Sequence, residues 1–151
     1  MNLFLKNKNI ILLGILILFI FAISIVAISA YKLEKRNKDI SQVYYHAMQS
    51  INKNNKPQLI KIVQNKLKNI VLENPNLKIS NLITISVAQL YFELQEYRNS
   101  IDTYKSLINK LNSRDMLMPL VLSGLKLNYE KLKFFNEINI VNKQLKKLNM
   151  L

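Results

Sequence analysis

From Asn9 to Tyr31 the chain carries no charged residue, and residues 10–30 read IILLGILILFIFAISIVAISA, with only Gly14, Ser24 and Ser29 interrupting the apolar run. At about 1.5 Å per residue a helix of this length spans roughly 30 Å, the thickness of a bilayer's hydrocarbon core. A lone segment in lipid must satisfy its backbone groups internally, so a helix is the form it takes. The pattern predicts a transmembrane helix over 9–31, a short basic tail over 1–8, and a domain over 32–151. A cleavable signal peptide has an apolar core of about 7–15 residues, shorter than this run, although Ala27, Ser29 and Ala30 would suit cleavage. A core helix apolar on every face is more than a domain of this size can enclose. Gly14 is followed four positions on by Leu18, so no GxxxG pairing motif is present and the helix reads as an anchor.

Beyond the span, apolar residues recur with a helical period of 3.6. Ile40, Val43, Ala47 and Ile51 form one stripe; no Gly or Pro separates Ala30 from Ile51, so this segment is expected to continue from the membrane helix. Residues 52–56 break the pattern, and Pro57 suits the first turn of a second helix. That helix carries Leu59, Ile60, Val63, Leu67, Ile70 and Val71 and is stopped by Asn74, Pro75 and Asn76. A third is expected to start from a cap at Ser80 and carries Ile83, Val87, Leu90, Tyr91 and Leu94. After a break at 95–98 comes a fourth with Ile101, Tyr104, Leu107, Ile108 and Leu111, then a polar turn at 112–115. The fifth carries Leu117, Val121, Gly124, Leu125 and Leu132, and the sixth Ile138, Val141, Leu145 and Leu148.

These segments repeat. Leu94, Gln95, Glu96 and Tyr97 align with Leu132, Lys133, Phe134 and Phe135 at an offset of 38, which also pairs Tyr91 with Tyr129 and Leu107 with Leu145. In the other direction an offset of 37 pairs Ser100 with Val63, Tyr104 with Leu67 and Leu107 with Ile70. Three helix pairs of nearly constant length, each unable to bury its apolar face alone, predict an all-α solenoid.

The middle pair resembles a tetratricopeptide repeat. Ala88 and Tyr91 stand as the small residue and aromatic of its first helix, Tyr97 as the tyrosine of its turn, and Tyr104 as the aromatic of its second. Gln95 stands where that family has Gly, and Ser100 and Leu107 stand where it has Ala. The resemblance implies a groove lined by the first helix of each pair, at Ile85, Gln89 and Phe92 in the middle unit and Ser123, Leu127 and Glu130 in the last. The order of parts, a basic tail, one membrane helix and a degenerate three-unit repeat domain, resembles the ancillary SecYEG translocon subunit family. That likeness implies a bacterial inner-membrane protein with a periplasmic domain whose partners are proteins, the export channel or chaperones among them.

Charge pulls the other way on orientation. Lys6, Lys8 and the α-amine flank one side of the span; Lys32, Lys35, Arg36 and Lys38 flank the other, which by the positive-inside rule favours a cytoplasmic domain by a small margin. The net charge is +13, from 22 basic and 9 acidic residues, and all but two of the basic residues follow the span. Such a domain could bind anionic lipid or nucleic acid by charge alone, and this is the alternative function. Nucleic acid is the weaker partner: only Arg36, Arg98 and Arg114 are arginines, and no aromatic-basic motif of an RNA-binding module is present. The lysines are spread evenly and accompany heavy Asn and Ile usage, which also fits a solvated surface in a compositionally biased proteome.

Little in the sequence points to chemistry. There is no Cys and one His, His46, so a zinc site lacks ligands. Glu93 and Glu96 are the one close carboxylate pair and read as a solvated face. No Gly-rich loop can cradle phosphate and no nucleophile elbow is present. The expectation is a protein-binding scaffold that is not an enzyme and uses no metal, cofactor or small-molecule substrate.

Overall fold

The computed structural model describes residues 3–53 and 56–148, with side chains described from residue 13 onward. Met1 and Asn2 of the basic tail, Asn54 and Asn55 of the first break, and the last three residues lie outside the described residues, as do the side chains of Lys6 and Lys8. The described chain is all-helical, in six elements: α1 (Leu3–Lys53), α2 (Pro57–Glu73), α3 (Lys78–Glu93), α4 (Tyr97–Ile108), α5 (Met118–Leu132) and α6 (Phe135–Lys147). The expected continuity past Ala30 is present in the bounds of α1, and Pro57 opens α2 as its fixed φ favours. Two local expectations are corrected. Ser80 is not the cap of α3, which begins earlier; it is buried in the first turn, where its hydroxyl donates to the Asn74 carbonyl at 2.5 Å. Arg98 does not belong to the break before α4, because the chain reverses within three residues and is helical again from Tyr97.

The chain divides into two compact units, Met1–Asp39 and Ile40–Leu151. In the first, helix α1 is long and apolar enough to cross a membrane. Its large apolar side chains over residues 13–28 are all more than half exposed, Leu18 at 70%. That exposure rules out a buried core helix, and an apolar surface this continuous is tolerated in lipid rather than water.

In the second unit two apolar cores share one helix. Ala47 and Ile51 pack with Ile60, Val63 and Leu67 of α2 and with Ile83, Val87 and Leu90 of α3. Ile85 and Ala88 of the same α3 join a second core with Ile101, Tyr104 and Leu107 of α4, Val121, Leu125 and Tyr129 of α5, and Val141 and Leu145 of α6. Helix α3 is therefore buried on two faces, which explains an apolar pattern too dense for a single stripe. Hydroxyls bind it to its neighbours: Ser100 of α4, fully buried, donates to the Ala88 carbonyl at 2.7 Å, and Tyr44 shares a 2.7 Å hydrogen bond with Ser86. From α2 onward each helix packs on the next in chain order, and α3 also touches α5.

The two reversals at the 38-residue offset have the same backbone. Gln95 and Lys133 are the non-glycine residues with positive φ, at 61° and 59°. At the first, Gln95 N–H donates to the Phe92 carbonyl (2.9 Å) and Glu96 N–H to that of Tyr91 (2.8 Å). At the second, Lys133 N–H donates to the Glu130 carbonyl (3.2 Å) and Phe134 N–H to that of Tyr129 (2.9 Å). This is one helix-ending motif used twice, with its left-handed position filled by residues that carry a β-carbon. Between the second and third pairs, a β-carbon on Gly124 would overlap the ring of Tyr104, which is buried and has nowhere to go.

Four substitutions follow. Gln95→Gly and Lys133→Gly should each raise the stability of the full chain in neutral micelles by about 1 kcal/mol, because glycine adopts positive φ without steric cost. Gly124→Ala should lower it by about 1–3 kcal/mol through overpacking against Tyr104, while Ser123→Ala next to it should be close to neutral. Urea denaturation followed by circular dichroism measures all of them.

Candidate protein-binding face

The six expected groove residues do not form one set. Ile85 is buried in the second core and cannot line an open groove; it faces α4 and α5 because α3 supplies both cores. Gln89, Ser123, Leu127 and Glu130 are exposed. Phe92 is half-buried and meets the Tyr97 ring edge-on, with centroids 5.3 Å apart, so part of its surface packs against the turn. Glu130 lies 3.9 Å from the ammonium of Lys126 one helical turn away.

Two leucines missing from the sequence-based set complete the face. Leu82 of α3 is 41% exposed and Leu120 of α5 is 46% exposed, and they are equivalent at the 38-residue offset. With Gln89 they make Leu82, Gln89 and Phe92 a stripe on α3, beside Leu120, Ser123, Leu127 and Glu130 on α5, helices that touch each other. The signal was present in the sequence: both leucines fall outside the packing stripes, at matched positions, and each lies one or two turns before a named groove residue. In a chain of this net charge, Glu130 is the one ionised group of these seven side chains.

The other side of the pairs is open in a different way. Among the described residues α2 does not touch α4, nor α4 α6. A cavity of about 260 Å³ lies in the first gap, lined by Val71, Thr84, Tyr91, Asp102 and Ser106 among others. One of about 310 Å³ lies in the second, with Ile108, Leu122 and Gln144 at the positions matching Val71, Thr84 and Ser106. The Ser and Thr hydroxyls of the first cavity bond to their own helices: Thr84 donates to the Ser80 carbonyl, Thr103 to that of Asn99 and Ser106 to that of Thr103.

His46 is exposed, at the edge of the Tyr45 ring 5.9 Å away, on a hollow with Ile62, Val63 and Lys66. Glu96 accepts a 2.7 Å hydrogen bond from the Asn99 amide. Among the described residues no three His, Cys, Asp or Glu side chains are grouped to hold a metal ion. No family model, curated protein or solved structure matches the chain.

Burial pushes the Tyr104 phenol up to about 12 from 10. The fold therefore favours the neutral phenol. This stabilisation is complete below pH 10 and is lost as the pH rises through about 12, because the unfolded chain releases its proton first. Across pH 10–12 the wild type should lose stability more steeply than Tyr104→Phe, and urea midpoints of the two chains at successive pH values measure the difference. Parallel profiles would place the phenol in water.

Proposed function

We propose that this chain is a single-pass membrane protein whose helical domain is a scaffold for binding other proteins. The observation that carries the reading is the pair of matched exposed stripes on α3 and α5, apolar and nearly uncharged, on adjacent helices. Exposed leucines at repeat-equivalent positions are unfavourable in water and favourable in an interface. The recurrence of one helix-ending motif at the 38-residue offset supports a tetratricopeptide-like stacking of the pairs. On the resemblance in the order of its parts to the ancillary SecYEG translocon subunits, the domain lies in the periplasm of a bacterial inner membrane and assists protein export there. The absence of Cys is compatible with an oxidising compartment. The flanking charges oppose this orientation slightly, so the side of the membrane rests on the family likeness.

Three experiments test the reading. After alkaline carbonate extraction the full-length chain should remain in the membrane pellet; release at the mass of a chain cleaved near Ala30 would mean a signal peptide. A C-terminal alkaline phosphatase fusion should be active, whereas an inactive one beside a fluorescent cytosolic reporter would move the scaffold to the cytoplasm. For binding, Leu120→Lys with Leu127→Lys should abolish chemical cross-links to other proteins in intact cells and leave the melting temperature of the purified chain unchanged. Cross-links that persist in that variant would remove the α3–α5 face from the account.

A further inference from the structure

A hollow of about 530 Å³ between α5 and α6 is lined by Lys126, Asn139, Asn142, Lys143 and Lys146. Every one of these side chains ends in an amine or a carboxamide. Lys126 has a carboxylate at 3.9 Å, that of Glu130, which offsets one charge at most; among the described residues neither Lys143 nor Lys146 makes an ion pair. Like charges around one hollow repel, and the repulsion is relieved when an anion enters. The two asparagines can donate hydrogen bonds beside the ammonium groups. The Oδ1 atom of Asn142 is buried without a hydrogen-bond partner.

We infer that the α5–α6 hollow is a binding site for a phosphate group, held by Lys126, Lys143 and Lys146 with the amides of Asn139 and Asn142. The set favours phosphate over a carboxylate because several separate donor side chains from two helices line the same hollow, which suits the three or more oxygens of a phosphate. The volume leaves space for a phosphorylated headgroup with its water. The site does not involve the α3–α5 face, so the two stand or fall separately. The phosphate could be that of an anionic lipid or of a soluble phosphate compound, and the chemistry of recognition is the same.

The test uses the full chain in neutral detergent micelles. Inorganic pyrophosphate is titrated calorimetrically, and melting is followed in micelles doped with phosphatidate or with phosphatidylcholine. The expected result is saturable pyrophosphate binding, or a melting temperature higher with phosphatidate than with phosphatidylcholine. A response to pyrophosphate marks a soluble phosphate as sufficient, and a response to phosphatidate alone marks the lipid. Lys143→Gln with Lys146→Gln, both exposed and free to change without unfolding the domain, should weaken the response at least fivefold. Lys61→Gln with Lys66→Gln removes the same charge from the exposed face of α2 and should change it less than twofold. An equal loss in both variants would show general attraction to a basic domain, and silence with both ligands would show no site; either result overturns the inference.

Discussion

The space beside Gly124 is filled by the ring of Tyr104, and the join between the second and third helix pairs depends on that contact. Without a β-carbon at 124, α5 can sit close on α4 and a large aromatic can be enclosed where they meet. A buried aromatic of this kind is worth about 3–5 kcal/mol on truncation, comparable with a large share of a small domain's net stability. The same core takes Val121, Leu125 and Tyr129 from α5 and Val141 and Leu145 from α6, so the last pair is docked through it. Holding α5 in this place also sets it against α3, and that contact brings the two exposed stripes side by side.

Chain reversal is the second constraint. A helix ended by a left-handed residue turns back sharply, and the paired hydrogen bonds at Gln95 and Glu96, and again at Lys133 and Phe134, fix that turn in the same way twice. Glycine would be the easiest occupant. Gln and Lys hold the position at a cost in backbone strain, which the packing of the helices on either side must outweigh.

Much of this order was legible from the residues. The apolar run at 10–30, the helical period of each segment and the offset linking Tyr91 to Tyr129 all come from spacing, and the six helices follow that spacing closely. The errors at the exposed face share one cause, since periodicity reports that a residue is apolar and not which neighbour covers it. The tetratricopeptide resemblance places Ile85 in a groove, whereas α3 serves two cores and Ile85 packs in the second. Leu82 and Leu120 carry a signal only when read together, as leucines outside the packing stripes at positions matched by the 38-residue offset. The lysine-lined hollow is illegible in the sequence for a further reason. Lys126 is far in sequence from Lys143 and Lys146, and in a lysine-rich chain nothing but the docking of α6 on α5 distinguishes those three from the rest.

The proposed function depends on surfaces. Thr84 and Ser106 of the first inter-helix cavity bond to their own helices, and the one histidine stands exposed beside an aromatic ring. What the domain offers is a stacked set of helices with one nearly uncharged face and one strongly basic hollow, next in sequence to a helix suited to lipid. All of it rests on α5 seating against α4. The most direct measurement is the nuclear Overhauser contact between the Tyr104 ring protons and the α-protons of Gly124 in the isotope-labelled full chain in micelles. A strong cross-peak, accompanied by contacts from the same ring to Val121 or Leu125, is the result this packing predicts. A Tyr104 ring with no contact to residue 124, sharp and freely averaging, would contradict the seating of the third pair and with it the face formed by α3 and α5.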